Sequence, residues 1–458
     1  MSKVNFENDL SKGNVASQLL RFAMPFIISN IIQSLYNVVD LVVVGWFGND
    51  ASVSAVNNGS QLTFLATCLA IGISVGATVL IGQYLGAGDR ESLKKTIGNL
   101  FVSLFVLAVV STVLMVVFKD SLLHLVGVPA EAFDEASDYL LVTALGTVFI
   151  FGYNALSAVM RGMGDSKRPL IFVGVACVTN IVLDLLFVAV FKMAALGAAI
   201  ATVIAQAVSV VLCIIYLAKN NFIFDFKSAS SYKVDKENFK MLVRVGFPTM
   251  IQQVATNLSF LFLTSLANGM GVAASSAVGI VGKFNGFAIL PAIAVSSAIS
   301  AMCAQNIGAA QTERAVKTMK TGLILAYSIT IPLYVISVLF APQILALFGN
   351  DPAIIDEGVK YMTFFTLDYL LVPLFFCLNG LFIGSGHTTF SLVNNLICSI
   401  LVRIPAAWFF SNYIVGGMKG LGIGAPVSTF VSCVFVLVFY FSGKWKKRVV
   451  LKDNELAE

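Results

Sequence analysis

Apolar runs long enough to cross a bilayer recur along almost the whole chain. They lie at about 19–47, 55–85, 95–118, 135–160, 169–191 and 195–218. Six more follow at about 241–268, 275–305, 316–340, 361–384, 390–415 and 420–442. A membrane helix needs roughly 20 such residues, whereas barrel strands would show alternating segments of about ten, so the runs are read as helices. Only 12% of the 458 residues are charged and 58% are hydrophobic, with a mean hydropathy of +0.89. A soluble domain carries about twice that charge. The expected fold is therefore an all-α integral membrane protein with twelve transmembrane helices.

The first run begins near Leu19 and has no small-residue cleavage site behind it, so no cleavable signal peptide is expected. The seven cysteines all fall inside apolar runs, none at metal-ligand spacing, and are read as helix-packing residues.

Basic residues set the orientation. Lys3, Lys12 and Arg21 lie in the N-terminal arm and the entry of the first helix, and Arg90, Lys94 and Lys95 follow the second. Arg161, Lys167 and Arg168 follow the fourth, Lys219 to Arg244 surround the central connection, Arg314, Lys317 and Lys320 follow the eighth, and Lys444 to Lys452 form the tail. The opposite connections hold only Lys119, Lys192, Lys360 and Lys419. Both termini are expected in the cytoplasm and the chain in the cell (inner) membrane.

The two halves repeat. Leu20-Arg21-Phe22-Ala23-Met24-Pro25 matches Val243-Arg244-Val245-Gly246-Phe247-Pro248, and Gln83 to Ala87 matches Gln305 to Ala309. Asp134-Glu135 and Tyr139 match Asp356-Glu357 and Tyr361, and Leu196-Gly197 matches Leu421-Gly422, all offset by 222 to 225 residues. Six helices per half is an even number, so the halves insert in the same sense, as two parallel-repeat six-helix bundles. The expected domains are an N-terminal lobe 1–218, a cytoplasmic linker 219–240, a C-terminal lobe 241–442 and a cytoplasmic tail 443–458. The linker's basic residues and its aromatics Phe222, Phe224 and Phe226 suggest an interfacial segment.

An ionisable residue inside a membrane helix costs roughly 2.5–3.5 kcal/mol on insertion scales, which makes each one a functional candidate. Asp40, Asp184, Asp368, Lys283 and Arg403 are such residues. Counted from their helix ends at about 1.5 Å per residue, Asp40, Asp184 and Thr202 lie at one depth, ~10 Å below the outer surface. Gln33, Tyr36, Asn37 and Asp40 share one face of the first helix, and Asn180 and Asp184 share one face of the fifth. Such faces are untenable against lipid and are expected to line a wet cavity in the N-terminal half. Two carboxylates brought together there cannot both ionise cheaply, which suits exchange of a proton for a cationic substrate. Tyr36 and Tyr139, beside the stripe, suit contact with a lipophilic cation. The rival reading is that each Asp only hydrogen-bonds a neighbouring helix.

The C-terminal half does not copy this pair. It carries instead a charge cluster of Lys283, Asp368 and Arg403, read either as structural neutralisation or as a substrate or second-ion site. Pro25 and Pro248 sit at matching places inside the first helix of each half, where a missing backbone bond allows a hinge. No phosphate-binding loop occurs, and with His124 and His387 as the only histidines no catalytic constellation is visible. Neither an enzyme nor a nucleic-acid-binding protein is expected.

Tyr36-Asn37-Val38-Val39-Asp40, then Gly45, Gly48 and Ser54-Ala55-Val56, resembles the first-helix signature of the MATE (multidrug and toxic compound extrusion) transporters. Arg161-Gly162-Met163-Gly164-Asp165 with Pro169, and Asn180-Ile181-Val182-Leu183-Asp184, resemble the helix 4–5 region of that family. The resemblance covers residues 11 to 442. It implies two bundles around a V-shaped cavity and export of cationic or amphipathic compounds in exchange for H+ or Na+, with no other cofactor, by a bacterial chain expected to be monomeric. The branch with its ion site in the N-terminal lobe matches better, and its key positions correspond to Gln33, Tyr36, Asp40, Tyr139, Asn154, Asn180, Asp184 and Thr202. Were the ion Na+, its ligands would be Asp40, Asp184, Asn180 and Thr202. The related flippases for lipid-linked saccharides are the alternative; they usually show a more basic cavity.

Overall fold

The computed structural model describes residues 7–220, 222–349 and 351–450. Lys3, Lys452 and residues 451–458 of the expected tail lie outside the described residues. We label the long helical runs α1 (Val15–Phe47), α2 (Asp50–Ala87), α3 (Arg90–Val117), α4 (Phe133–Gly162), α5 (Lys167–Val190), α6 (Ala194–Lys219), α7 (Lys236–Asn268), α8 (Val272–Gly308), α9 (Thr312–Leu339), α10 (Pro352–Gly384), α11 (Thr388–Ile414) and α12 (Gly417–Phe441). Ten of these are long and apolar enough to cross a membrane, and α10 makes eleven when its two bent pieces count as one span. The exception is α7, 33 residues long, whose middle turns carry Gln252, Gln253, Thr256 and Asn257. Val and Ile side chains such as Val106, Val109, Val113, Ile324 and Val438 are exposed around the helices, as a lipid-facing surface requires.

Local chemistry explains most helix ends. Asn49 caps α2 through Ser52 N–H and Asp89 caps α3 through Ser92 N–H. Gly88, with φ 79, closes α2 in the left-handed conformation. Asp351 caps α10 through Ala353 N–H with Pro352 in the first turn, so the helix starts nine residues before the apolar run that predicted it. Its two pieces, Pro352–Phe365 and Asp368–Gly384, bend by 48° at Thr366–Leu367. The eighth run likewise divides into Val272–Ala288 and Leu290–Gly308. By contrast Pro25 lies inside an unbroken α1.

The chain forms two compact units. One comprises residues up to Asp9 together with Met24–Met250; the other comprises Leu10–Ala23 together with Ile251 onwards. In the first, α2 and the start of α7 cross backbone to backbone. A Cβ on Gly72 would lie 2.4 Å from Met250 Cα, and one on Gly76 would lie 2.7 Å from Gly246 Cα.

The linker is a correction to the interfacial reading. Phe222 and Phe224 are buried, and Phe224 packs on Phe101 of α3 at 5.3 Å between ring centres. The buried Asn99 amide grips the linker backbone: Asn99 Nδ2 donates to Asp235 O at 2.9 Å, and Asp235 N donates to Asn99 Oδ1 at 3.0 Å. Asp235 in turn accepts from Asn238 N at 3.0 Å, capping α7, and this backbone bond helps hold its carboxyl below the usual range. The aromatics serve a docked strap rather than a membrane surface.

Candidate functional site

In the first unit, α1, α5 and α6 bring Asp40, Asn180, Asp184 and Thr202 into one buried cluster. Asp184 and Asn180 are fully buried, Asp40 is 6% exposed and Thr202 is 9% exposed. With its amide turned to donate, Asn180 Nδ2 lies 2.8 Å from Asp40 Oδ1 and 3.2 Å from Asp184 Oδ2. Thr202 Oγ1 donates to Asp40 Oδ2 at 3.4 Å. The carboxyls of Asp40 and Asp184 are in hydrogen-bonding reach of each other, and Asp184 Oδ1 is buried with no protein partner. A proton between the carboxyls removes their repulsion, while the open Asp184 oxygen leaves a place for a further donor or cation.

The helix register produces this arrangement. Asp40 lies two turns from the C-terminal end of α1, and Asn180 and Asp184 are one turn apart on α5. Directly after Asp184 the backbone widens into a π-type turn, Leu185–Val190, a feature found mostly at functional places in helices.

The remaining expected residues divide. Tyr36 is half-buried one turn before Asp40 and within electrostatic reach of it, so it joins the cluster. Tyr139 is buried, within electrostatic reach of both carboxyls. Gln33 is half-buried two turns from Asp40, and Asn37 is exposed. Asn154 stands apart from the carboxyl cluster, 15 residues along α4 from Tyr139, about 22 Å of helix, and its amide donates to Ile150 O of its own helix at 2.8 Å. The structure does not bring it to the carboxylates.

Gly59 escaped the sequence reading. A Cβ there would lie 2.4 Å from Tyr139 Cδ1, so α2 makes room for the tyrosine ring through this glycine. One turn on, Thr63 Oγ1 donates to Thr143 Oγ1 at 3.1 Å, tying the two helices together. The signal in the sequence was a glycine inside an apolar helix, which usually marks a close approach.

In the second unit the charges do not gather. Lys283 is exposed, and Arg403 forms no ion pair with Asp368 among the described residues, so direct neutralisation is corrected. The Arg403 guanidinium stands over the Phe260 ring, 4.9 Å from its centroid. Asp368 is 8% exposed, with Thr429 close by.

The MatE family model matches the chain twice, over residues 25–186 and 248–409, beginning 223 residues apart. The probable multidrug resistance protein YoeA of Bacillus subtilis is 30% identical over 449 residues, 96% of each chain. The probable multidrug resistance protein NorM of Thermotoga maritima is 26% identical over 99% of this chain and 98% of its own length. Among solved structures, a MOP superfamily transporter from Pyrococcus furiosus, described with a binding pocket of reverse polarity, overlays with a TM-score of 0.90. It is 24% identical over 96% of this chain and 98% of its own, a likeness of fold. Two family-model matches over most of an all-helical chain, with a relative of this identity along its whole length, place the protein in the MATE family of multi-pass membrane transporters.

Proposed function

We propose that this protein is a secondary antiporter that exports cationic or amphipathic organic compounds in exchange for H+, or Na+, entering through the first unit. The observation that carries the reading is the buried Asp40–Asn180–Asp184–Thr202 cluster, acidic and incompletely satisfied. Fold alone would not decide between substrates, because function lies in the polarity of the site. Names of curated relatives as multidrug resistance proteins support drug export. A flippase for a pyrophosphate-linked saccharide is the weaker reading, since two buried carboxyls repel such a head group.

The proposed cycle is competition. With the carboxyl pair deprotonated, a cation gains their charge and the faces of Tyr36 and Tyr139. Protonation removes that charge and weakens the hold of Asn180 and Thr202, and α1 repacks about Pro25 and releases the substrate. Each ligand then favours a different state, which an exchanger needs. The sign follows: cation affinity falls as pH falls. We read the chain as twelve spans, with α7 counted as one, both termini in the cytoplasm on the strength of the basic connections, and a single chain as the working unit.

The test is ethidium efflux from everted vesicles under an imposed proton gradient and then a sodium gradient. A response to one gradient identifies the ion; no response to either sinks the proposal. Equilibrium binding of a fluorescent cation across acidic to alkaline pH checks the competition. Affinity that does not change with pH, without sodium present, would leave sodium as the coupling ion.

A further inference from the structure

The polar groups of the second unit are left unsatisfied in a pattern of its own. Asp368 stands at the bend of α10 with Thr429 close by, and its Oδ1 is buried without a partner. The adjacent Tyr369, 2% exposed, has a hydroxyl with no partner. Across from them on α11, Arg403 follows the π-type turn Ile397–Val402, and its Nε and one terminal nitrogen are buried without a partner. Arg403 and Asp368 are within electrostatic reach of each other and of Tyr361, yet no ion pair forms.

A direct pair would relieve both groups, because an unpaired buried charge costs several times what an ordinary hydrogen bond returns. The guanidinium is instead held over Phe260, and Phe260 is itself partly exposed, which puts Arg403 on an open side of the unit. Arginine facing hydrocarbon would be untenable, so that side is wet or filled by ligand. A simple cation at this place meets the repulsion of Arg403, and a simple anion meets that of Asp368. A molecule bearing both charges satisfies both, with the guanidinium fork taking a carboxylate and Asp368 and Tyr369 taking an ammonium.

We propose that Asp368, Tyr369 and Arg403 form a recognition site for zwitterionic substrates, separate from the carboxyl pair of the first unit. The inference rests on the reading that the chain moves small organic compounds. It assigns Arg403 as the residue that distinguishes zwitterions from fixed cations, because the site's buried donors are left unpaired when the carboxylate is missing.

The experiment uses the full chain, purified, and two dyes of one core: a rhodamine methyl ester, which is a fixed cation, and the same rhodamine with its carboxylate free. Equilibrium binding by fluorescence polarisation gives the ratio of the two affinities. Arg403→Gln is expected to shift that ratio against the free acid by about tenfold, the loss of a charge-assisted bidentate contact. If Arg403→Gln does not fold, the charge-balanced double variant Asp368→Asn with Arg403→Gln is read by the same ratio and is expected to lose the preference as well. An unchanged ratio in the folded variant, whether both dyes weaken equally or neither does, overturns the proposal. Because binding is measured without a gradient, failure of the antiport reading would appear in ethidium efflux and leave this ratio interpretable.

Discussion

The two units solve one problem, charge at membrane depth, in opposite ways. In the first, two acids are brought together and bridged by the Asn180 amide, with the Thr202 hydroxyl on Asp40. In the second, two unlike charges are held apart, one beside Thr429 and the other resting on Phe260. The π-type turn follows the acid in α5 and precedes the base in α11. The tyrosines differ too. Tyr139 is seated on Gly59, whereas its repeat partner Tyr361 stacks on Phe365 at 5.1 Å and packs in a cluster with Val281, the residue matching Gly59. The contrast teaches that a duplicated scaffold keeps its helices in register while its polar interior is free to diverge.

The sharpest way to break the comparison is to neutralise one acid of the first unit. Asp40→Asn or Asp184→Asn is expected to reduce gradient-driven ethidium efflux to background, with membrane insertion checked by immunoblot of the membrane fraction. Normal efflux in either would end the coupling assignment. Asp184→Asn should also flatten the pH dependence of cation binding near its low-pH affinity, read by titrating a fluorescent cation.

Removing the bridge should do less. Asn180→Ala leaves both carboxyls but takes away the shared donor, and a charged hydrogen bond is worth about 1.5–3 kcal/mol, so efflux is expected to fall by about ten- to hundredfold. Loss confined to a few-fold would mean that the acids hold each other without it. Smaller still is Gly59→Ala, which must push Tyr139 aside at a typical overpacking cost of ~1–3 kcal/mol. A several-fold weaker cation affinity, with unchanged gradient response, is the expected result. The matching Val281→Ala creates a void rather than a clash and should lower the unfolding temperature in detergent instead.

Most of the scaffold was legible in the sequence because lipid leaves few options: apolar runs long enough to span had to be helices, and a buried Asp had to have a purpose. Asp40, Asn180, Asp184 and Thr202 could be placed at one depth by counting residues from helix ends. What escaped depends on distant packing. Nothing near Phe224 announces that its ring will be buried on Phe101, and nothing near Gly59 announces Tyr139. The early start of α10 was written in Asp351-Pro352, but a hydropathy reading passes over a polar cap.

The strap that Asn99 holds offers a smaller test within the first unit. Asn99→Ala would strand the Asp235 N–H and carbonyl, and about 2 kcal/mol of stability is expected to go with them, measurable as a lower unfolding temperature in detergent.

The membership of the two compact units also bears on how the protein is made. Leu10–Ala23 leaves the ribosome early yet belongs with Ile251 onwards, and the residues up to Met250 that complete the first unit emerge only after the central linker. Neither sequence half therefore contains a whole unit. A nascent chain that has delivered only its first six helices still carries a groove at Gly72 and Gly76 awaiting Gly246 and Met250, so final packing is a late event of high sequence separation. Half-chains expressed alone would be substrates for membrane quality control, while the two halves synthesised together could still complete each other.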